Sequence, residues 1–223
     1  MKGQDIVLLL KLISLHRKEL PSGASEQAPV EPVEPVDWED WQDWEGWDAD
    51  GSRLILPEHR SHEQKDIASR YTARSLEEET GISKSQINLA LNRCIDVGLA
   101  KKDRKSGVPR ANVQALYGFI LHGLKYVFPA KPGEITRGIA TAFAAPVMNK
   151  QLMSAGEFVP VWPDAKGNTK GQAIEPLCKS VAYAVRRDPE MYALLALVDA
   201  IRIGQPREAN LAANQLKQRL GAK

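Results

Sequence analysis

The stretch that decides the fold runs from Thr72 to Asn112, and its centre reads Ser75-Leu76-Glu77-Glu78-Glu79-Thr80-Gly81-Ile82-Ser83-Lys84-Ser85-Gln86-Ile87-Asn88-Leu89-Ala90-Leu91. Two helical patterns meet here with almost no linker between them. Gly81 closes the first, because a residue without Cβ accepts the left-handed conformation that a helix C-terminus usually needs. Ser83 opens the second, its hydroxyl able to accept from the free backbone N–H groups of the first turn. This second helix is expected to run to about Val97, with Ile87, Ala90, Leu91 and Cys94 recurring at three- and four-residue steps on one face. The other face carries Lys84, Ser85, Gln86, Asn88, Asn92 and Arg93, the short, amide-rich chemistry that a DNA major groove reads. Gly98 stops the helix. Leu99 then begins a stretch that ends in the basic run Lys101-Lys102-Asp103-Arg104-Lys105-Ser106-Gly107-Val108-Pro109-Arg110. A helix, a tight turn, a second helix and a basic hairpin together read as a winged helix-turn-helix.

The segments Thr80-Gly81-Ile82-Ser83-Lys84-Ser85-Gln86-Ile87 and Cys94-Ile95-Asp96-Val97-Gly98-Leu99 resemble bacterial winged helix-turn-helix transcriptional regulators of the MarR-like group. The likeness covers residues 67–128, most strongly the middle third of that span. It implies that the second helix enters the major groove of double-stranded DNA while the wing touches the backbone. It also implies a homodimer. The residues that would make DNA contacts are then Ser83, Lys84, Ser85, Gln86, Asn88, Asn92 and Arg93 on the helix, with Lys101, Lys102, Arg104, Lys105 and Arg110 on the wing. One position departs from the family pattern: four residues before the turn glycine a small residue usually packs between the helices, and here Glu77 stands there. Either that helix is slightly rotated or the two helices pair more loosely. The competing reading is a helix pair that merely packs.

The chain has 223 residues, 43% hydrophobic and 26% charged, an ordinary globular composition with ample length for a core. Its net charge of +2 conceals an uneven distribution. Residues 1–50 hold 4 Lys+Arg against 12 Asp+Glu, whereas the remainder holds 26 against 16. A basic body suits an anionic partner that the acidic portion avoids or competes with. Cys94 and Cys178 form no Cys-x-x-Cys pair, which fits a reducing compartment, and Cys94 falls on an apolar stripe as a small core hydrophobe.

Residues 3–16 include Ile6, Val7, Leu8, Leu9, Leu10, Leu12, Ile13 and Leu15 and are apolar almost all round. Such a helix is buried on more than one side, in the monomer core or partly as a dimer seam. Asp5 and Lys11 interrupt the run, which argues against a cleaved leader or a membrane segment, and a cytoplasmic protein is expected. Residues 1–18 thus form a helix packing with the winged helix, and residues 19–65 are an insertion. Its Val-Glu-Pro-Val-Glu-Pro portion reads as an extended, solvated linker. It continues into an acidic segment in which Trp38, Trp41, Trp44 and Trp47 stand three apart. Exposed tryptophans at that spacing dock on a hydrophobic groove of a protein partner, or fold back on the chain's own surface. His59 and His62 lack the further ligands a metal site needs, so a solvated loop is expected.

Residues 66–128 form the winged helix-turn-helix, closed by a helix that Asn112 caps, with Gly118 and Gly123 suggesting close helix approach. Residues 129–223 are expected to be a helical dimerisation or partner domain. There, residues 134–145 are helical, residues 157–171 are an extended piece and a turn, and Ile174, Leu177, Val181 and Val185 share one helical stripe. Asp188-Pro189 and Pro206 open two further helices. The Gly167–Gly171 run lacks phosphate-loop spacing. No catalytic triad, carboxylate pair or metal-ligand cluster stands out, so neither an enzyme nor a cofactor is expected. The fold expected is mainly α with a small β-wing. The function expected is sequence-specific DNA-binding regulation, repression foremost. The alternative is a protein-binding antitoxin or adaptor of a defence or toxin-antitoxin operon, with or without autoregulation.

Overall fold

The computed structural model describes residues 1–19, 63–104, 106–149 and 159–222. The chain is mainly helical, with few and short strands. At its centre lies helix α1 (Gly3–Glu19), in which Ile6 through Leu10 have no solvent exposure at all. The continuous apolar circumference is satisfied by neighbours on every side: α4 (Lys84–Asp96) and α3 (Ala73–Thr80) on one, and α9 (Pro189–Ile203) on another. The apolar surface of α1 is therefore covered inside one chain rather than offered as a seam to a second copy, and only His16, Arg17 and Lys18 near its end are exposed. At about 25 cal/mol per Å² of apolar area, this helix is a principal source of stability.

α2 (Glu63–Arg70) leads into α3, which Thr72 caps by accepting from Ser75 N at 3.2 Å. Gly81 adopts φ 68°, the left-handed conformation expected of it. Ser83 stands in the extended cap conformation, but its hydroxyl makes no capping bond and instead lies 3.4 Å from Ser85 Oγ. The inward residues of α3 are Leu76 and Thr80; Glu77 sits at the rim, its carboxylate 3.9 Å from Lys84 Nζ. After α4, Gly98 (φ 75°) reverses the chain into an antiparallel pair, β1 (Ala100–Lys102) and β2 (Pro109–Ala111), with Lys101 opposite Arg110. Asn112 caps α5 (Val113–His122) by accepting from Ala115 N. Gly123 separates α5 from the short α6 (Leu124–Val127). No neighbour lies within 4 Å of where a Cβ on Gly118 would be, so that glycine does not mark a close helix approach.

Residues 129–223 differ from the all-helical expectation. The stretch expected as a helix over 134–145 is mostly strand β3 (Pro132–Ala140), followed by a single 3-10 turn at Ala142–Ala144 and α7 (Pro146–Asn149). β3 runs antiparallel to both β4 (Pro160–Pro163) and β5 (Thr169–Ile174), which pair with each other in parallel, so the three strands close into a ring. Backbone crowding explains its glycines: a Cβ on Gly138 would lie 2.0 Å from Trp162 O, and one on Gly171 2.0 Å from Val159 O. The helical stripe expected from Ile174 begins later, because Ile174 ends β5 and Leu177 lies in a loop before α8 (Val181–Arg187). Asp188 caps α9 through Glu190 N, and Pro206 opens α10 (Pro206–Leu220) beneath a capping box with Glu208.

Ionised groups within the core are paired. Lys11 Nζ, on a side chain 1% exposed, meets Asp188 Oδ2 at 2.7 Å and also pairs with Glu79 of α3. Ser14 donates to the same Asp188 oxygen. Burial alone would raise the Asp188 carboxyl, but Lys11, Lys18 and the Ser14 hydroxyl outweigh it and hold the group at about 2. Asp199 accepts from Trp162 Nε1 at 2.6 Å, Thr141 Oγ1 at 3.2 Å and Arg202, fastening the strand ring to α9. The apolar core continues from α1 through α5 to α9 and α10 without a break at residue 129.

Candidate nucleic-acid interface

The inward side of α4 is fixed by Ile87, Ala90 and Cys94, all without exposure. Burial pushes the Cys94 thiol up to about 12, so it is an inert core residue. With that stripe anchored, the helical period turns Ser83, Lys84, Ser85, Asn88 and Asn92 outward, and all five are exposed. Leu89 lies among them at 51% exposure. Asparagine side chains present a donor and an acceptor together, which suits the paired groups at an adenine edge.

Two residues expected on this face have other engagements. Arg93 points back to α1, where Nε and a terminal nitrogen donate to the two oxygens of fully buried Asp5 at 3.0 and 2.6 Å. Gln86 is half-buried and accepts from Gln4 Nε2 at 2.8 Å. Both lie on the edge where α4 meets α1. In this structure both side chains hold α4 against α1. The buried carboxylate of Asp5 demands a cation, and Arg93 is the one that α4 brings to it.

The hairpin is similarly divided. Lys101, Lys102 and Arg104 are exposed, and Lys105 lies outside the described residues. Asp103 shapes the turn: its carboxylate accepts from Ser106 N at 2.9 Å and Ser106 Oγ at 2.6 Å, while Gly107 supplies φ 69°. The run's single acid thus builds the hairpin that carries the cations. Arg110 faces the other way. It donates to Glu19 Oε2 and to Tyr71 Oη, each at 2.6 Å, with its guanidinium 5.0 Å from the Tyr71 ring. Arg110, expected as a phosphate contact, here braces β2 to the end of α1 and to Tyr71 ahead of α3. Burial tends to raise Glu19, but hydrogen bonds from Arg110 and Tyr71 win and hold its carboxyl below the usual range. A cavity of about 330 Å³ opens beside the contact of α1 with the hairpin, lined by Leu12, Ile13, His16, Lys101, Arg110 and Val113.

Asp5, Gln4, Glu19 and Tyr71 were missed as partners of these cations. A signal existed, since an acid in an otherwise apolar helix must find a counter-charge, but nothing local says which. Trp38, Trp41, Trp44 and Trp47, with His59 and His62, lie outside the described residues. Among the described residues, no three His, Cys, Asp or Glu side chains gather as metal ligands, and no helix is long and apolar enough to cross a membrane. No family model, curated protein or solved structure matches the chain.

Proposed function

We propose that α3, α4 and the β1–β2 hairpin form a winged helix-turn-helix that binds double-stranded DNA, and that the chain is a transcriptional regulator, a repressor foremost, working as a homodimer. The supporting observation is the outward face of α4. Ser83, Lys84, Ser85, Asn88 and Asn92 stand exposed on one side of a helix whose other side is locked in the core. The exposed Lys101, Lys102 and Arg104 follow at its C-terminal end. Amides and hydroxyls on the helix specify sequence, and cations on the hairpin position the backbone. Two copies would present two such helices to a palindromic site one DNA turn apart.

A gel shift with the DNA upstream of the chain's own coding region, repeated at rising salt, tests this. The expected result is a specific complex with a steep loss of affinity as salt rises. Equal, weak binding to every duplex would remove the regulatory reading.

A second reading, a protein-binding antitoxin or adaptor, draws on a groove of about 840 Å³ between α5 and α10. Tyr117, Leu121, His122, Asn210 and Asn214 are among the residues lining it. Such a module would retain its protein partner after loss of the α4 face.

A further inference from the structure

α8 packs against the turn that precedes α4. Tyr183 Oη donates to Glu78 O at 2.9 Å. A Cβ on Gly81 would lie 2.9 Å from the Tyr183 ring and 3.2 Å from Ser180 Cβ. Arg187, one helical turn beyond Tyr183, lies with its guanidinium 3.8 Å from that ring's centre. Stacking on an aromatic face restrains the guanidinium while its N–H edge stays free for a phosphate. Arg187 and Lys179 are exposed, and among the described residues neither has a carboxylate partner. Glu77 is paired with Lys84, Glu78 with Arg74, Glu79 with Lys11 and Asp164 with Arg186, while the exposed Glu175 lies four residues before Lys179.

The two sets of cations flank α4 from opposite ends. Its 13 residues span about 20 Å at 1.5 Å per residue. Lys101, Lys102 and Arg104 follow its C-terminus, whereas Lys179 and Arg187 adjoin the turn at its N-terminus. A major groove is about 12 Å wide, so a helix lying in it meets a phosphate strand on each side. We infer that Lys179 and Arg187 form a second backbone clamp on double-stranded DNA, gripping the phosphate strand across the groove from the one the hairpin grips. This inference rests on the DNA-binding reading and extends its footprint to a part of the chain far from the helix-turn-helix in sequence.

Fluorescence anisotropy of the full chain with a labelled mixed-sequence duplex, over a series of salt concentrations, tests it. Three double variants are compared with the parent: Lys179→Ala/Arg187→Ala, Lys101→Ala/Lys102→Ala, and Arg207→Ala/Lys217→Ala on α10 as a charge-matched control. Each lost phosphate contact should make the slope of log K against log salt shallower by about 0.9. The α8 and hairpin variants should therefore each lose about 2, and the α10 variant nothing. Circular dichroism checks that all are folded. An α8 variant that matches the parent, while the hairpin variant does not, overturns this inference and leaves the DNA-binding reading standing. Equal changes in the α8 and α10 variants would reduce the effect to net charge and also overturn it. A parent chain that binds no duplex removes both.

Discussion

Arg93 illustrates how an amino acid suited to one task is committed to another. Its guanidinium makes two short, charge-assisted bonds to a carboxylate with no solvent exposure. Removing the cation would leave Asp5 buried and unpaired, which typically costs 3–5 kcal/mol. Because Arg93 is itself 30% exposed, Arg93→Ala should cost about 3 kcal/mol. Urea unfolding measures this loss, and the base preference of any folded fraction should be unchanged. Asn92 is the contrasting case, exposed and without a hydrogen-bond partner among the described residues. Asn92→Ala should leave the unfolding midpoint alone and relax preference at one base pair by about 1–3 kcal/mol, read by comparing sites selected from a random duplex library. Swapped outcomes for these two residues would mean that the Asp5 pair opens when DNA binds.

At the scale of elements, the helices whose cues are local agree with the sequence reading. Gly81 and Gly98 adopt positive φ where a helix ends, Asn112 caps α5 and Asp188-Pro189 opens α9, whereas Ser83 stands at the cap of α4 without a capping bond. The strand ring does not agree, and its cause is distance along the chain. β3 is held by residues 160–174, and the need for Gly138 arises from the backbone of Trp162, which no window around residue 138 contains. Ile135, Thr136 and Ile139 are β-branched and favour a strand, a local cue that the helical expectation for residues 134–145 passed over. The interface divides along the same line. Which α4 residues face outward follows from the apolar stripe, whereas the internal engagement of Arg93, Gln86 and Arg110 depends on α1. Because β1 and β2 are only three residues each, the Asp103 turn matters to the hairpin. Asp103→Ala should weaken DNA binding about as much as losing one hairpin lysine, despite making the chain more positive. Anisotropy titrations of the two variants side by side check this.

At the scale of the molecule, α1 joins the two halves through a buried ionic knot. Against the pull of burial, Lys11, Lys18 and the Ser14 hydroxyl hold the Asp188 carboxyl at about 2 against an ordinary value of 3.8. A carboxyl depressed by folding stabilises above its unfolded value and loses that contribution as pH falls through the folded one. The window is therefore roughly pH 4 down to pH 2, and the difference corresponds to about 2 kcal/mol. Urea midpoints measured across that window should fall in the parent chain. In Asp188→Asn they should start lower and change less, by about the same 2 kcal/mol. Lys11 and Asp188 are separated by 177 positions, and this spacing bears on synthesis. A strongly apolar helix leaves the ribosome long before α9 exists to cover it. Until then it needs a chaperone or transient self-association, and fragments ending near residue 128 should sediment as aggregates rather than behave as an autonomous DNA-binding unit.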